Sequence, residues 1–270
     1  MSQFDLEITI SNVQYLLDQG SARLARKQFD AELFLDMASY YRYLGVGKFL
    51  LYLDVHGFFQ SFYKGARVYQ QMLNLKGSYA FDPYYLCKSR GLPLLDAIAI
   101  KAFDLAIEIS GQMVDTWQPD MEYEEDFFYY DALTRLINAT EAGGKLEKSI
   151  KEFEACLDGN ASSRLNMVKA LVENDGVVFQ KNLYALIEEW DDHIARQRKS
   201  DRIDPYFDKT AANIYIEGVA LVCLAQKRGI TTENQYKYIP GPILQHAEST
   251  FSSPWPIHAT AFPPVERSNN

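Results

Sequence analysis

Lys209 to Leu244, KTAANIYIEGVALVCLAQKRGITTENQYKYIPGPIL, constrains the fold of this chain more than any other segment. Ala211, Ala212, Ile214, Ile216, Val219, Leu221, Val222 and Leu224 leave only Asn213, Glu217 and Gln226 as polar interruptions. A helix apolar on nearly every side has to be packed inside other helices. Its apolar run, near Ile214 to Ala225, is about half of what a membrane span needs and contains Glu217, so the expected solvent is protein and not lipid. Lys227, Arg228 and Gly229 then supply the cations and the left-handed-tolerant residue that end a helix.

Helical periodicity continues through the rest of the chain, and alternating strand-like runs bounded by turn residues are nearly absent. The pattern predicts an all-α fold, an antiparallel multi-helix bundle or a helical-repeat-like array, although no fixed repeat period is found. Expected helices run from a Ser21 cap to about Leu44, from Gly45 or Gly47 to about Leu75 with a bend near Gly57 or Gly65, and from Leu94 to about Met113. Others span Glu124 to Ala142, Leu146 to Leu157, Ser162 to Glu173 and Val177 to about Arg198, and Lys76 to Pro93 reads as a connecting loop. One all-α domain is expected over 1–248, followed by a proline-rich tail over 249–270 that is either loose or anchored by Trp255 and Phe262.

Asp5 and Glu7 stand where a signal peptide would carry basic and apolar residues. Cys87, Cys156 and Cys223 are far apart and form no C-x-x-C pair, which fits inert thiols in a reducing compartment. Together these features lead us to expect a cytoplasmic protein. The net charge of −9 is concentrated: residues 1–110 hold eleven basic and eleven acidic side chains, 111–160 hold four and twelve, and 161–270 hold twelve and thirteen. A nucleic-acid binder would concentrate the opposite sign, so direct binding to DNA or RNA is not expected.

Most of that excess lies between Asp115 and Asp131, where seven acids and no base are interleaved with Trp117, Tyr123, Phe127, Phe128, Tyr129 and Tyr130. Glu124, Glu125 and Asp126 have an ordinary explanation, because acids in a first helical turn meet the positive end of the macrodipole. The remainder has the composition of a recognition surface, with carboxylates to steer a basic partner and aromatic rings to anchor it. Candidate contact residues are Asp115, Trp117, Asp120, Glu122, Tyr123, Glu124, Glu125, Asp126, Tyr130 and Asp131.

Signals for catalysis are weaker. In Glu188-Glu189-Trp190-Asp191-Asp192-His193, Glu189 and His193 are one turn apart, a spacing that suits a shared metal or a proton relay. However, the sequence departs from Glu-x-x-His, Asp-Asp-x-x-Asp and His-Glu-x-x-His, and the plainer reading is a solvated face with Glu189 paired to His193 or acids paired to Arg196 and Arg198. His56, His246 and His258 have no carboxylate or cysteine at ligand spacing. No nucleophile elbow and no phosphate-cradling glycine loop occurs, so neither a catalytic residue nor a cofactor is expected. Glu217 requires a partner, because a lone carboxylate in an apolar helix is costly; an Arg or Tyr at a helix seam, or a polar pocket, would supply it.

Ala220-Leu-Val-Cys-Leu-Ala-Gln-Lys-Arg-Gly-Ile230, followed by Tyr236, Tyr238, Ile239, Pro240 and Leu244, resembles the immunity-49 family of bacterial polymorphic toxin systems. Asp175, Phe179, Leu183 and Leu186 to Trp190 look like the family's preceding helix, and Asp131-Ala-Leu133 like an earlier one, so the likeness covers about Glu125 to Leu244. It implies an all-α cytoplasmic immunity protein that binds and neutralises a cognate toxin domain without catalysis, such as a nuclease or another enzyme with a basic cleft. It brings no catalytic residue with it. The other readings are a helical-repeat adaptor for a peptide or protein and a metal-dependent α-helical enzyme using Glu189, Asp192 and His193.

Overall fold

The computed structural model describes residues 3–138, 144–200, 202–248 and 250–252. They form an all-α fold with no strand among them. In chain order the helices are α1 (Gln3–Ala25), α2 (Ala31–Tyr52), α3 (Val55–Leu75), α4 (Pro83–Leu86), α5 (Leu92–Ala99), α6 (Phe103–Ser110) and α7 (Glu124–Ile137). They continue as α8 (Lys145–Cys156), α9 (Ser163–Glu173), α10 (Gly176–Lys199), α11 (Pro205–Lys209), α12 (Ile216–Lys227) and α13 (Gly241–Gln245).

The first three helices are antiparallel neighbours, and glycines set how closely they approach. Gly20 lies against Met37 while Gly47 lies against Ile10, and Gly45 lies against Phe62 while Gly65 lies against Tyr41, so residue numbers rise on one helix as they fall on the next. A Cβ at Gly65 would stand 3.0 Å from the Ala38 carbonyl oxygen, tighter than most side-chain carbons sit, so the neighbour would have to give way. Gly45 and Gly47 therefore belong inside α2 and do not divide two helices as the sequence suggested. The break falls at Leu53, which takes the left-handed φ of 54°, and at Asp54, whose carboxylate accepts from the Gly57 amide at 2.7 Å to cap α3.

Other boundaries move for equally local reasons. Ser21 lies within α1, and Asp30 caps α2 by accepting from the Glu32 amide. The expected 94–113 helix is interrupted between α5 and α6, where Lys101 adopts φ 60° and its Nζ donates to the Leu244 and His246 carbonyls at 2.6 and 3.0 Å. The 76–93 connection contains α4 and a single 3-10 turn at Lys88–Arg90. Helix α7 ends at Ile137, and residues 139–142 of its expected length lie outside the described residues. The segment before Ile216 is not one helix but α11 followed by a 3-10 turn at Ala211–Asn213.

Helix α12 occupies the place its composition demands. Every residue from Ile216 to Ala225 is buried except Glu217, with α5, α10 and α13 packed around it. Gly229 closes it at φ 81°, and Arg228 reaches across to donate to the Leu171 carbonyl at 2.5 Å and the Val172 carbonyl at 3.3 Å, satisfying the C-terminal end of α9. Of the expected tail, Thr250 to Ser252 run along α3, with Phe251 stacked on Tyr63 at 4.3 Å; Trp255 and Phe262 lie outside the described residues. No helix is long and apolar enough to cross a membrane among the described residues.

Candidate functional site

The acidic, aromatic stretch is built around the N-terminus of α7. Tyr123 occupies the cap position without offering a side-chain cap, so the first-turn acids Glu124, Glu125 and Asp126 face uncapped amides, where negative charge is favoured. Immediately before it, Gln118-Pro119-Asp120-Met121 makes a turn closed by the Met121 amide on the Gln118 carbonyl at 3.2 Å. Asp120 takes φ 68°, which suits the third place of a type II turn and is tolerated by an Asp.

The ten candidate residues separate into three groups. Tyr123, which is 82% exposed, Asp120, Glu124 and Glu125 project into solvent. Trp117 and Glu122 are half-buried and hold the loop: one Glu122 carboxylate oxygen accepts from the Ser89 amide at 2.9 Å, the other from the Gln118 amide at 3.3 Å, and the Trp117 indole donates to the Glu122 carbonyl at 3.2 Å. The remaining members do not form the expected free acidic face. Tyr130 and Asp131 are buried, 7% and 6% exposed, because the helix turns them toward the core. Asp131 meets the buried Lys88 and lies 3.3 Å from Arg135, and Asp115, although exposed, lies 3.0 Å from Arg135 and 3.4 Å from Lys88. Burial pushes the Asp131 carboxyl up, but Lys88 and then Arg135 overcome it and hold the group below its ordinary value.

Asp126 connects this stretch to the other sequence candidates. Its carboxylate accepts from Arg164 at 2.8 Å, and Arg164 donates twice more, at 3.1 and 3.0 Å, to the two oxygens of Glu217. The guanidinium also lies 4.7 Å above the Tyr129 ring. The expected Arg partner of Glu217 is therefore present, and Glu217 in turn holds the Arg164 guanidinium cationic, well above its ordinary value, against the cost of burial. Burial, with the Glu217 charge behind it, pushes the Tyr129, Tyr130 and Tyr215 hydroxyls up, so they remain neutral around the pair.

Over this pair opens a cleft of about 510 Å³ whose walls come from α7, α9, α10 and α12. Glu189, Asp192 and His193 line it together with Glu125, Asp126 and Glu217, so two sequence-distant candidates share one surface. The expected pairing of Glu189 with His193 is not seen: Glu189 accepts from the Ser163 hydroxyl at 2.7 Å, and His193 Nε2 lies 2.9 Å from the Gln197 amide nitrogen. Among the described residues no three His, Cys, Asp or Glu side chains are placed to hold a metal ion. His56 and His246 are not isolated in space, since both reach one oxygen of Glu248, at 2.7 and 3.3 Å, when the chain returns along α3.

Sequence reasoning missed Arg164, which organises the cleft. Only Glu217's need for a counter-charge pointed toward it. It also missed a second hollow of about 580 Å³ beside the α7 N-terminus, where Tyr84, Arg90 and Met121 join Asp120, Tyr123 and Asp126, the last shared with the first cleft. Five carboxylates line the first cleft against Arg164 and Arg196, which leaves it net negative.

Fold and site thus define an all-α protein with an acid-lined surface built on a buried central helix. The chain belongs to the Immunity protein 49 family, whose model matches residues 54–243, beginning well upstream of the Glu125 at which the sequence resemblance becomes clear. That membership gives it the role of an immunity protein. No curated protein and no solved structure matches the chain.

Proposed function

We propose that this chain is a cytoplasmic antitoxin that binds the toxin domain encoded beside it, one delivered between competing bacteria, and neutralises it by covering a basic active-site cleft. The observation that carries this reading is the convergence of Glu125 and Asp126 from α7 with Glu189 and Asp192 from α10 on one exposed face. Carboxylates held on helices raise the encounter rate with a basic surface and repel nucleic acid, so they would compete with the substrate of a nuclease for the same cleft. An inhibitor of this kind needs no catalytic group of its own.

Co-expression with the adjacent toxin gene is expected to restore growth, and the two chains are expected to copurify in a fixed ratio. Reversing Glu125 and Glu189 to Lys together is expected to slow association at low salt while leaving helicity unchanged. Absence of both rescue and complex formation would remove the immunity mechanism. An unaltered association rate in the reversed variant would remove this face from the contact.

A further inference from the structure

Within the toxin-binding reading, on which it rests, we propose that Tyr123 is the anchor of the interface. It is an exposed aromatic knob on a held backbone that enters an apolar slot bordered by Lys and Arg side chains on the toxin domain. A single exposed aromatic ring needs no explanation on a soluble protein. What distinguishes Tyr123 is the support beneath it.

Its backbone follows Glu122, whose two carboxylate oxygens are both committed to backbone amides, at Ser89 and Gln118, and whose carbonyl accepts from the Trp117 indole. Its own carbonyl accepts from the Phe127 amide at 3.0 Å to begin α7. The position is thus fixed on three sides, by the 88–90 turn, by the 117–121 turn and by the helix. Holding the backbone that carries the ring before binding removes part of the entropy that binding would otherwise cost. A tyrosine on a held backbone has only two side-chain torsions left to order, which makes it an economical contact residue.

The surroundings complete the arrangement of a hot spot. Met121 and Tyr84 are 37% and 39% exposed beside the same hollow, and Arg90 stacks over the Tyr84 ring at 4.2 Å, so the knob rises from a half-apolar floor. Asp120 lines the same hollow, and Glu124 and Glu125 follow Tyr123 in the chain, all three exposed, so its neighbourhood carries a charged edge. An apolar centre within a polar rim is how energetically dominant contacts are built. The charge of the rim selects the occupant. A second copy of this chain would bring Asp120, Glu124 and Glu125 against their own equivalents, whereas a basic toxin cleft brings the complementary sign.

The test uses the full-length chain and the toxin domain encoded beside it, inactivated in its own catalytic site, with association and dissociation read by surface plasmon resonance. Tyr123→Ala, at a side chain this exposed, is expected to keep the wild-type melting temperature and to weaken binding by about 30-fold or more, chiefly through faster dissociation. Tyr123→Phe keeps the ring and is expected to stay within a few-fold of wild type. Glu122→Ala, which removes the carboxylate that ties the Ser89 and Gln118 amides together and keeps the Tyr123 ring, is expected to weaken binding and to raise amide exchange across 117–123. Glu124→Lys with Glu125→Lys is expected to slow association instead.

Wild-type affinity in Tyr123→Ala, with the wild-type chain binding normally, would overturn the anchor and leave the immunity reading intact. No binding by the wild-type chain would remove that reading and the anchor with it. A change in the free chain's oligomeric state on Tyr123→Ala would identify a second copy as the occupant and also overturn the proposal.

Discussion

Replacing Arg164 with Met tests whether the cleft is held together by the charge pairing described above. The substitution keeps a long apolar stem and deletes three charge-assisted hydrogen bonds, two to Glu217 and one to Asp126, together with the contact over the Tyr129 ring. It leaves Glu217 with a side chain only 11% exposed and no counter-charge. Removing one partner of a fully buried pair costs about 3–5 kcal/mol. Arg164 itself is 31% exposed, so solvent screens part of the interaction and the expected loss is about 2–3 kcal/mol. For a chain of this length that corresponds to a fall of roughly 4–12 °C in melting temperature.

The decisive comparison is the double variant. Adding Glu217→Leu removes the stranded charge and restores an apolar side chain of similar size, so Arg164→Met with Glu217→Leu is expected to return to within about 1 kcal/mol of wild type. Urea denaturation followed by far-ultraviolet circular dichroism measures all three variants. The reasoning fails if Arg164→Met unfolds within about 0.5 kcal/mol of wild type, or if the double variant loses the sum of the two single losses.

Arg42 and Asp96 form the interior counterpart, bonded at 2.7 and 2.6 Å with side chains 5% and 1% exposed, so Asp96→Ala is expected to cost the full range of about 3–5 kcal/mol by denaturant titration. Asp131 provides a pH signature. Its folded carboxyl lies below the unfolded value of about 3.9, so its stabilisation is complete above about pH 5 and is lost as pH falls through the folded value. The stability difference between wild type and Asp131→Asn is therefore expected to be constant near neutrality and to shrink in acid; a difference that grows in acid would contradict the assignment. Gly65→Ala places a methyl group against the Ala38 carbonyl and is expected to cost about 1–3 kcal/mol, visible as an earlier melt.

How much of this was legible in the sequence depended on whether the deciding neighbour was local. Helix α12 was readable because ten nearly unbroken apolar positions fit only a packed interior, and the need of Glu217 for a partner, which proves to be Arg164, followed from the cost of a lone carboxylate. Gly45 and Gly47 misled because glycine serves two purposes, ending helices and letting them touch. Only the positions of Phe62 and Ile10 on neighbouring helices show that these two glycines do the second. The acidic run was visible as composition, but its division into Tyr123 outside and Asp131 inside was not. Asp131 is drawn inward by Lys88, which lies 43 residues away in the chain, and no local spacing records that.

The family match begins at residue 54, so α1 and α2 lie outside it, yet the packing gives them a share of the same core. Phe58 faces Phe49 at 6.1 Å between ring centres, and Phe62 fills the space opposite Gly45. Removing residues 1–53 would expose both fully buried rings, at about 1.5–3 kcal/mol each. It would also delete Arg42, the ion-pair partner of Asp96. The two rings alone, at about 3–6 kcal/mol together, are a large share of the stability of an ordinary domain, about 5–15 kcal/mol. A chain starting at Asp54 is therefore expected to be aggregated or loosely packed, with no cooperative melt, although it retains every residue of the candidate surface. A soluble 54–270 fragment that melts sharply would show instead that α1 and α2 are an appendage on an independent unit, and the toxin-binding face would then have to be sought without them.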